Sequence, residues 1–409
     1  MSSVPLTDSD LVHRLQLAAK HGPGKAARIA GVGNSAFRNS ISLAKSRGLT
    51  AKTKLTSTED KLRTKVKVLE SELAAIHREN ITAEGIRTTI YNLSAVTPDP
   101  PKWTASKKAV QGSGVPVAVW SDWHYGETVN SAETGGANAF NRAIARKRIR
   151  RLIDETISLA KHHMVHPSYP GIVICLGGDM VSGNIHEELR ETNDGSLQKS
   201  LLELQETLEA AILLMADTFG KVFLPCVVGN HGRMTHKPRA KGRVFENYEW
   251  NLYCQLERHF RNDRRVQFQI PSETDAHFTV LGHRFLLTHG DSLGVKGGDG
   301  IIGALGPITR GSIKVGRSEA HIGRDFDTLI MGHWHTYIPK GDASQAMVNG
   351  ALKGYDEYAR LFLRVPYSRP SQTLFFVHQR HGITAQWQVF VDDKRQARVS
   401  DWVSWHAAV

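Results

Sequence analysis

With 409 residues, of which 40% are hydrophobic, the chain is long enough for two or three globular domains. No stretch approaches the roughly 20 apolar residues of a membrane span, and the amino terminus is polar, so we expect a cytoplasmic protein without a membrane partner. Three cysteines are too few for a disulfide scaffold, and we expect Cys175 and Cys226 to be buried as small hydrophobes.

The positive charge is concentrated in the first part of the chain. Residues 1–110 hold 18 Lys and Arg against 9 Asp and Glu, a net charge of +9 out of a total of +12. This distribution favours a polyanionic partner for the amino-terminal region. A solvated, charged surface is the alternative, and charge alone does not exclude it.

Residues 1–54 predict a small all-α domain. Thr7 and Asp10 have the spacing of a capping box, so a first helix is expected to begin there. Gly22 and Pro23 end that helix, and a short second helix is expected over residues 24–30.

A glycine-containing turn at residues 31–34 separates the second helix from a third, which we expect Ser35 to cap. The short helix, turn and longer helix resemble a helix-turn-helix domain, which implies DNA binding. Arg38 and Lys45 would then lie on the exposed face of the third helix and contact DNA. A three-helix unit used for protein contacts is the alternative.

Residues 55–93 predict a helical segment, with a second capping box at Thr56 and Glu59. Apolar residues recur at heptad spacing over residues 56–81, which predicts a short coiled coil and a homodimer. A helix that packs on its own domain is the alternative. Residues 94–114 are rich in Pro, Ser, Thr and Lys and are interpreted as a linker.

Residues 115–409 predict one large α/β domain. Five apolar, β-rich runs cover residues 115–120, 172–176, 222–228, 285–288 and 328–331, and helical stretches cover 143–162 and 197–219. A short polar motif follows each run, where the strand is expected to end. In order, the motifs are Asp122-Trp123-His124, Gly178-Asp179, Gly229-Asn230-His231, His289 and Gly332-His333-Trp334-His335.

Oxygen and imidazole groups at the ends of buried strands indicate a metal site. The order and the residue types of the five motifs, over residues 115–340, resemble those of the calcineurin-like metallophosphoesterase superfamily. The resemblance implies a four-layer αββα sandwich and a two-metal hydrolase of phosphate esters that works by direct in-line attack. It also implies the ligands: Asp122, His124 and His335 for the first ion, Asn230, His289 and His333 for the second, and Asp179 bridging them.

We expect the ions to be Mn, with Fe, Zn or Ni as alternatives. Because residues i and i+2 of a strand point the same way, Asp122 and His124 are expected to reach one ion together. The resemblance makes His231 the catalytic residue, which would face the phosphoryl group and protonate the leaving oxygen.

Several positions depart from the pattern of the family. Ser182 stands where many members carry a second aspartate, and Gly232 and Arg233 stand where many carry an acidic residue. These departures bear on the substrate contacts and on the groups that support the ligands. Residues 127–139, rich in glycine and other small residues, predict a mobile loop.

A basic run without acids follows the catalytic histidine, and a second basic, glycine-rich stretch covers residues 296–317. Together with the amino-terminal helices, they favour a nuclease directed to DNA by residues 1–54. A phosphatase or phosphodiesterase on small-molecule or protein substrates, and a DNA-binding regulator with a vestigial metal site, are the alternatives. The expected DNA contacts beside the centre are Arg233, Lys237, Arg239, Lys241 and Arg243.

Overall fold

The computed structural model describes residues 6–52, 114–293, 305–341 and 345–393. The chain divides into two compact units, Met1–Leu93 and Ser94–Val409. The predicted coiled coil at residues 56–81 and the linker up to residue 113 lie outside the described ranges, so dimerisation stays a prediction. Among the described helices, none has the length and apolar character needed to cross a membrane.

The first unit contains three helices, α1 (Asp8–His21), α2 (Pro23–Ile29) and α3 (Asn34–Ser46). The predicted capping box is present, since Thr7 accepts from the Asp10 amide and Asp10 accepts from the Thr7 amide. The prediction that Ser35 caps α3 is wrong. The cap residue is Gly33, whose backbone is still extended, whereas Ser35 already lies in the first helical turn.

Small residues let the three helices pack closely. Ala26 and Ala27 of α2 form one small core with Phe37 of α3, whose ring is fully buried. Next to the buried face of α3, Arg38 and Lys45 are exposed. The amphipathic pattern of α3 therefore buries one side and leaves its basic side chains in solvent.

The second unit contains a six-stranded sheet in the order β10-β9-β1-β2-β3-β4. Strands β1, β2, β3 and β4 are parallel to one another. Strand β9 pairs antiparallel with the other edge of β1, and β10 pairs antiparallel with β9. Three of the predicted strands are among them. The strands are β1 (Val115–Trp120), β2 (Ile172–Leu176), β3 (Val222–Pro225), β4 (Val266–Gln269), β9 (Ser371–His378) and β10 (Gly382–Phe390).

A second sheet has the order β5-β6-β7-β8, in which β5 is antiparallel to β6 and the other pairs are parallel. Its strands are β5 (Ala276–Val280), β6 (His283–Thr288), β7 (Thr328–Met331) and β8 (Ala346–Val348). The two remaining predicted strands correspond to β6 and β7. The helices of the unit are α4 (Arg142–His162), α5 (Glu187–Thr192), α6 (Leu197–Phe219), α7 (Tyr248–Phe260) and α8 (Leu305–His321).

Three apolar cores separate four layers. Alternation along β1 sends Trp120 toward α4, α6 and α7, and sends Val117 toward the second sheet. The far face of the second sheet packs against α8, where Ile308 is buried. The described residues thus stack as helices, sheet, sheet and helix, which confirms the α/β prediction. Cys175 and Cys226 are buried and unpaired, as expected.

Candidate metal centre

The turns that follow β1, β2, β6 and β7 and the segment after β3 converge at one place. The structure groups their His and Asp side chains into three overlapping clusters, and within each cluster the candidate ligand atoms lie within 4.8 Å of one another. All of these residues come from the five sequence motifs. The clusters are Asp122-His124-His335, His124-Asp179-His231 and Asp179-His289-His333.

The first cluster presents lone pairs to a common point. His335 Nε2 lies 3.3 Å from Asp122 Oδ1 and 3.1 Å from His124 Nε2. The other ring nitrogen of His124, Nδ1, lies 3.1 Å from the Glu127 carboxylate, so this nitrogen carries the hydrogen and Nε2 presents a lone pair. Burial lowers the pKa of His124 to about 3, which keeps the ring neutral, the form that binds cations.

The third cluster, Asp179-His289-His333, places an imidazole against a carboxylate. His289 Nε2 lies 3.0 Å from Asp179 Oδ2 and 3.1 Å from Asn230 Oδ1, while its Nδ1 faces the Gly177 carbonyl at 2.9 Å. Burial opposes a charged ring, but the Asp179 carboxylate outweighs it and raises the pKa of His289 to about 10. This position favours a positive charge, and a bound cation would supply one.

The Asp179 carboxylate lies between His124 of the first cluster and His289 of the third. Its Oδ2 is 3.0 Å from His289 Nε2 and 3.9 Å from His124 Nε2, whereas its Oδ1 accepts the His231 backbone amide at 2.7 Å. One oxygen therefore faces both clusters while the other is fixed by the main chain. This is the geometry that a carboxylate shared by two cations requires.

The backbone, not strand alternation, aims the ligands. Asp122 and His124 lie beyond the end of β1, so the expectation that they point alike as strand residues is wrong. Both have left-handed backbone conformations, which side-chain-bearing residues adopt at a cost of about 1–3 kcal/mol each and which cluster at functional sites. Five candidate ligands share positive φ angles: Asp122 (54°), His124 (46°), Asp179 (51°), His333 (67°) and His335 (52°).

Two motif glycines permit the carboxylates to approach the main chain. A Cβ on Gly332 would lie 2.2 Å from Asp122 Oδ2, and a Cβ on Gly229 would lie 2.1 Å from Asp179 Oδ1. Any side chain there would displace a candidate ligand. The glycines of the third and fifth motifs are thus explained by close packing against the aspartates of the first two.

A buried ionic chain supports the first cluster, and little in the sequence indicates it. Lys353 Nζ lies 2.7 Å from Glu127 and 2.6 Å from Asp356, and Glu127 in turn faces His124. Burial opposes charge on Glu127, but Lys353 outweighs it and holds the pKa of this carboxyl well below its usual range. The only local signal was an acid three residues after His124.

The predicted mobile loop at residues 127–139 is instead anchored. Glu127 and Asn138 are buried, and the Asn138 amide donates to the carbonyls of Lys353 and Tyr355 at 2.8 and 2.7 Å. The small residues of this stretch allow tight turns, which sequence composition does not distinguish from mobility.

The third cluster is supported by Glu249 of α7, which the motifs did not include. Its carboxylate accepts the backbone amides of Gly229 and Met180 at 2.7 and 2.6 Å. Those residues adjoin Asn230 and Asp179, so one side chain fixes two ligand-bearing turns. Burial, reinforced by the charge of Asp179, raises the pKa of Glu249 to about 7.

His231 is held by the main chain of residue 182. The backbone carbonyl of Ser182 accepts from His231 Nδ1 at 2.7 Å, so the other nitrogen of the neutral ring, Nε2, carries a lone pair. Burial lowers the pKa of His231 even though Asp179 opposes the shift. Gly232 lies against Asn247 and Glu249, where a Cβ would come within 2.3 Å of Asn247 Oδ1.

Two of the five basic residues proposed to contact DNA make internal contacts. Arg233 donates to three backbone carbonyls, including that of Asn230 at 3.1 Å. Arg243 Nη2 donates to both carboxylate oxygens of Asp291, at 2.7 and 2.8 Å. These guanidinium groups therefore shape the loop beside the centre.

The other three basic side chains point to solvent. Arg239 lies 3.7 Å from Glu246 in an exposed pair. Lys237 and Lys241 are exposed, and neither forms an ion pair with any of the described residues. A small open pocket next to the centre is lined by Asn230, Arg233, Arg239, Lys241, Arg243 and Glu246, among others.

No family model matches the chain, and no curated protein matches it. Among solved structures, the chain is similar to a dimetal phosphatase from Danio rerio, at 10% identity and a TM-score of 0.33, over 68% of this chain and 100% of that one. It is also similar to the sulfate thiohydrolase SoxB from Thermus thermophilus, at 10% identity and a TM-score of 0.28, over 70% of this chain and 58% of that one. Likenesses this distant indicate nothing about the substrate.

Proposed function

We propose that the chain is a metal-dependent phosphoesterase with two divalent ions, and that its substrate is DNA. The observation that supports a two-ion centre is the position of Asp179 Oδ2, which faces the imidazoles of both His124 and His289. Asp122, His124 and His335 would hold one ion, and His289, His333 and Asn230 the other. When bound, two such ions activate water and neutralise the phosphoryl oxygens.

The mixture of ligands limits the choice of metal. Carboxylate and amide oxygens combined with neutral imidazoles suit Mn, Fe, Zn and Ni, and Mn is our first expectation. Burial, reinforced by the charge on His289, lowers the pKa of His333 to about 4 and keeps its lone pair available near neutral pH.

His231 is proposed to act on the substrate and not as a ligand. Its Nδ1 donates to the Ser182 carbonyl, so Nε2 is the atom that would first take up a proton from solvent and then pass it to the leaving oxygen. We expect His231→Ala to retain the metal content of the wild type and to lower turnover by about 100-fold or more. Metal analysis beside the rate measurement checks this, and loss of an ion would identify His231 as a ligand.

DNA is favoured over small phosphate esters by charge on both units. Exposed Lys237 and Lys241 lie on the loop that follows the catalytic histidine, and an extended phosphate backbone would suit them. In the first unit, Arg38 and Lys45 lie on the exposed side of α3, as a helix that contacts DNA requires.

The test is a digestion panel in Mn²⁺ that compares single-stranded, duplex, nicked and circular DNA with nucleotides, phosphoproteins and a chromogenic phosphodiester. We expect cleavage of DNA and of the chromogenic ester, and loss of both in Asp179→Asn, because the shared carboxylate loses a charge. DNA cleavage that survives in Asp179→Asn would show that another site, or a contaminating nuclease, is responsible.

The open pocket beside Asn230 favours one second candidate, a phosphoesterase for small anionic substrates. Four basic residues and one acid line it, a balance that suits a single phosphate group. In the same panel, rapid hydrolysis of nucleotides with no cleavage of any DNA would favour this candidate.

Targeting by the first unit has its own test. Replacing Arg38 and Lys45 with Gln should weaken duplex binding and reduce the slope of its salt dependence by about one unit for each lost phosphate contact. The matched control is Lys20→Gln with Lys25→Gln, which removes the same charge from exposed positions on α1 and α2. Equal slopes for the two double variants would contradict DNA contact through α3.

A further inference from the structure

An exposed aromatic patch occupies the segment between β8 and β9. The side chains of Tyr358, Phe362 and Tyr367 are 60%, 75% and 39% exposed. Across the described ranges, these are the only Phe, Tyr or Trp side chains that are so exposed. Exposed rings are costly in water, and their concentration in one ten-residue segment marks a binding surface.

Basic residues are interleaved with the rings. Residues 358–369 contain Arg360, Arg364 and Arg369 and no acidic residue. Arg369 pairs with Asp392, whereas Arg364 is exposed and, within the part of the chain that the structure describes, forms no ion pair. Such a surface is complementary to a partner with both flat apolar groups and negative charges.

The segment is tied to the first half of the metal centre. Its short π-helical turn, Ala359–Leu363, begins where the Ala359 amide donates to Asp356 at 2.7 Å. Asp356 is paired with Lys353, which is the residue that supports Glu127 and, through it, His124. In a second contact, the Asn130 backbone amide donates a hydrogen bond to the Glu357 carboxylate at 2.6 Å. The patch is therefore connected to the centre by short contacts, of which the ion pairs of Lys353 are buried.

We infer that residues 358–367 form a platform on which unpaired DNA bases stack next to the metal centre. The inference rests on the proposed action on DNA and narrows it to single-stranded DNA or frayed ends. Duplex DNA hides the faces of its bases, whereas a single strand offers a base face and a phosphate at every step. Tyr358 and Phe362 have ring centroids 5.5 Å apart with an interplanar angle of 34°, and Arg364 follows two residues later.

Binding measurements test the platform separately from turnover. The full-length Asp179→Asn chain is titrated with a fluorescein-labelled oligothymidylate and with an abasic oligomer of equal length, which has the same phosphates and no bases. Replacing Tyr358 and Phe362 with Leu should weaken oligothymidylate binding by about tenfold for each ring and leave abasic binding unchanged. The matched control Leu361→Ala, a change to a 51% exposed aliphatic neighbour, should alter neither affinity.

Two results would overturn the platform. One is an equal loss of affinity for both oligomers, which would assign the effect to charge or to folding instead of stacking. The other is unchanged DNA binding together with a change of oligomeric state in light scattering, which would make the patch an interface between two copies of the chain.

Failure of the platform is distinguishable from failure of the proposed function. A wild-type chain that hydrolyses the chromogenic ester but no DNA contradicts the proposed function. If the wild type cleaves DNA and the Tyr358→Leu, Phe362→Leu variant keeps the same ratio of single-strand to duplex cleavage, only the platform is wrong. We expect that ratio to fall in the variant.

Discussion

The two halves of the metal centre are built from similar ligands but are supported in different ways. Behind His124, the support is a buried chain of charged side chains, Glu127, Lys353 and Asp356. Behind His289, the support is the main chain, since its Nδ1 faces the Gly177 carbonyl and Glu249 fixes the neighbouring turns through their amides. The first half thus depends on a chain of buried charged side chains, and the second on main-chain groups together with the single buried carboxyl of Glu249.

The difference has a consequence for robustness. Removing one member of a buried ionic chain leaves its partners charged and unpaired, which costs far more than losing one hydrogen bond. A main-chain carbonyl cannot be removed by substitution, so the second half is less easily damaged. The halves should therefore respond unequally to substitutions that touch no ligand.

The largest effect is expected for Lys353→Met. Because Glu127 and Asp356 would be left buried without their cation, we expect the free energy of unfolding to fall by about 3–5 kcal/mol. The affinity of the His124 half for its ion should fall by about 10- to 100-fold, since Glu127 orients that ring. Chemical denaturation and a metal titration measure the two effects.

The matched control is Lys221→Met, which removes a lysine from an exposed position before β3. It should change stability by less than about 0.5 kcal/mol. Similar losses in the two variants would mean that the charge on Lys353 is not what supports the first half.

A smaller effect is expected for Glu249→Gln. The amide side chain keeps one acceptor for the two backbone amides, so the cost in stability should be about 1 kcal/mol. The pKa of Glu249, raised by burial to about 7, adds a pH signature. In metal-free protein the Glu249 carboxyl of the unfolded chain loses its proton near pH 4.5, whereas that of the folded chain keeps it up to about pH 7. The free energy of unfolding of the wild type should therefore fall as pH rises from about 4.5 to 7.

Glu249→Gln should remove that part of the pH dependence, which denaturation curves at several pH values would reveal. If the variant retained the wild-type slope between those pH values, another group would be responsible for it. If Glu249→Gln lowered the free energy of unfolding by more than Lys353→Met does, the second half would be the more sensitive of the two.

The sequence predicted the five strands that precede the polar motifs, because their burial leaves a strong pattern, whereas β4, β5, β8, β9 and β10 were not predicted. The runs at residues 115–120, 172–176 and 328–331 coincide with β1, β2 and β7, and the helical stretch at 197–219 coincides with α6. Continuous apolar residues bounded by glycine and polar motifs are typical of parallel strands covered on both faces. The convergence of the five motifs at one place follows from that topology.

The supports could not be predicted, because they are distant in sequence and carry no motif. Lys353 reaches Glu127 across 226 positions, and Glu249 acts on Met180 across 69. The left-handed backbone of Asp122 and His124 was also hidden, since neither residue type requires it. Composition likewise could not distinguish the anchored turns at residues 127–139 from a mobile loop.

Metal analysis of the purified chain tests the central claim most directly. We expect about two divalent ions per wild-type chain, and about one in His335→Ala and in His333→Ala, which each remove a ligand from one half. Asp179→Asn should weaken both sites. A wild-type chain that saturates with one ion, or an Asp179→Asn variant that still binds two as tightly as the wild type, would contradict a centre built around a shared carboxylate.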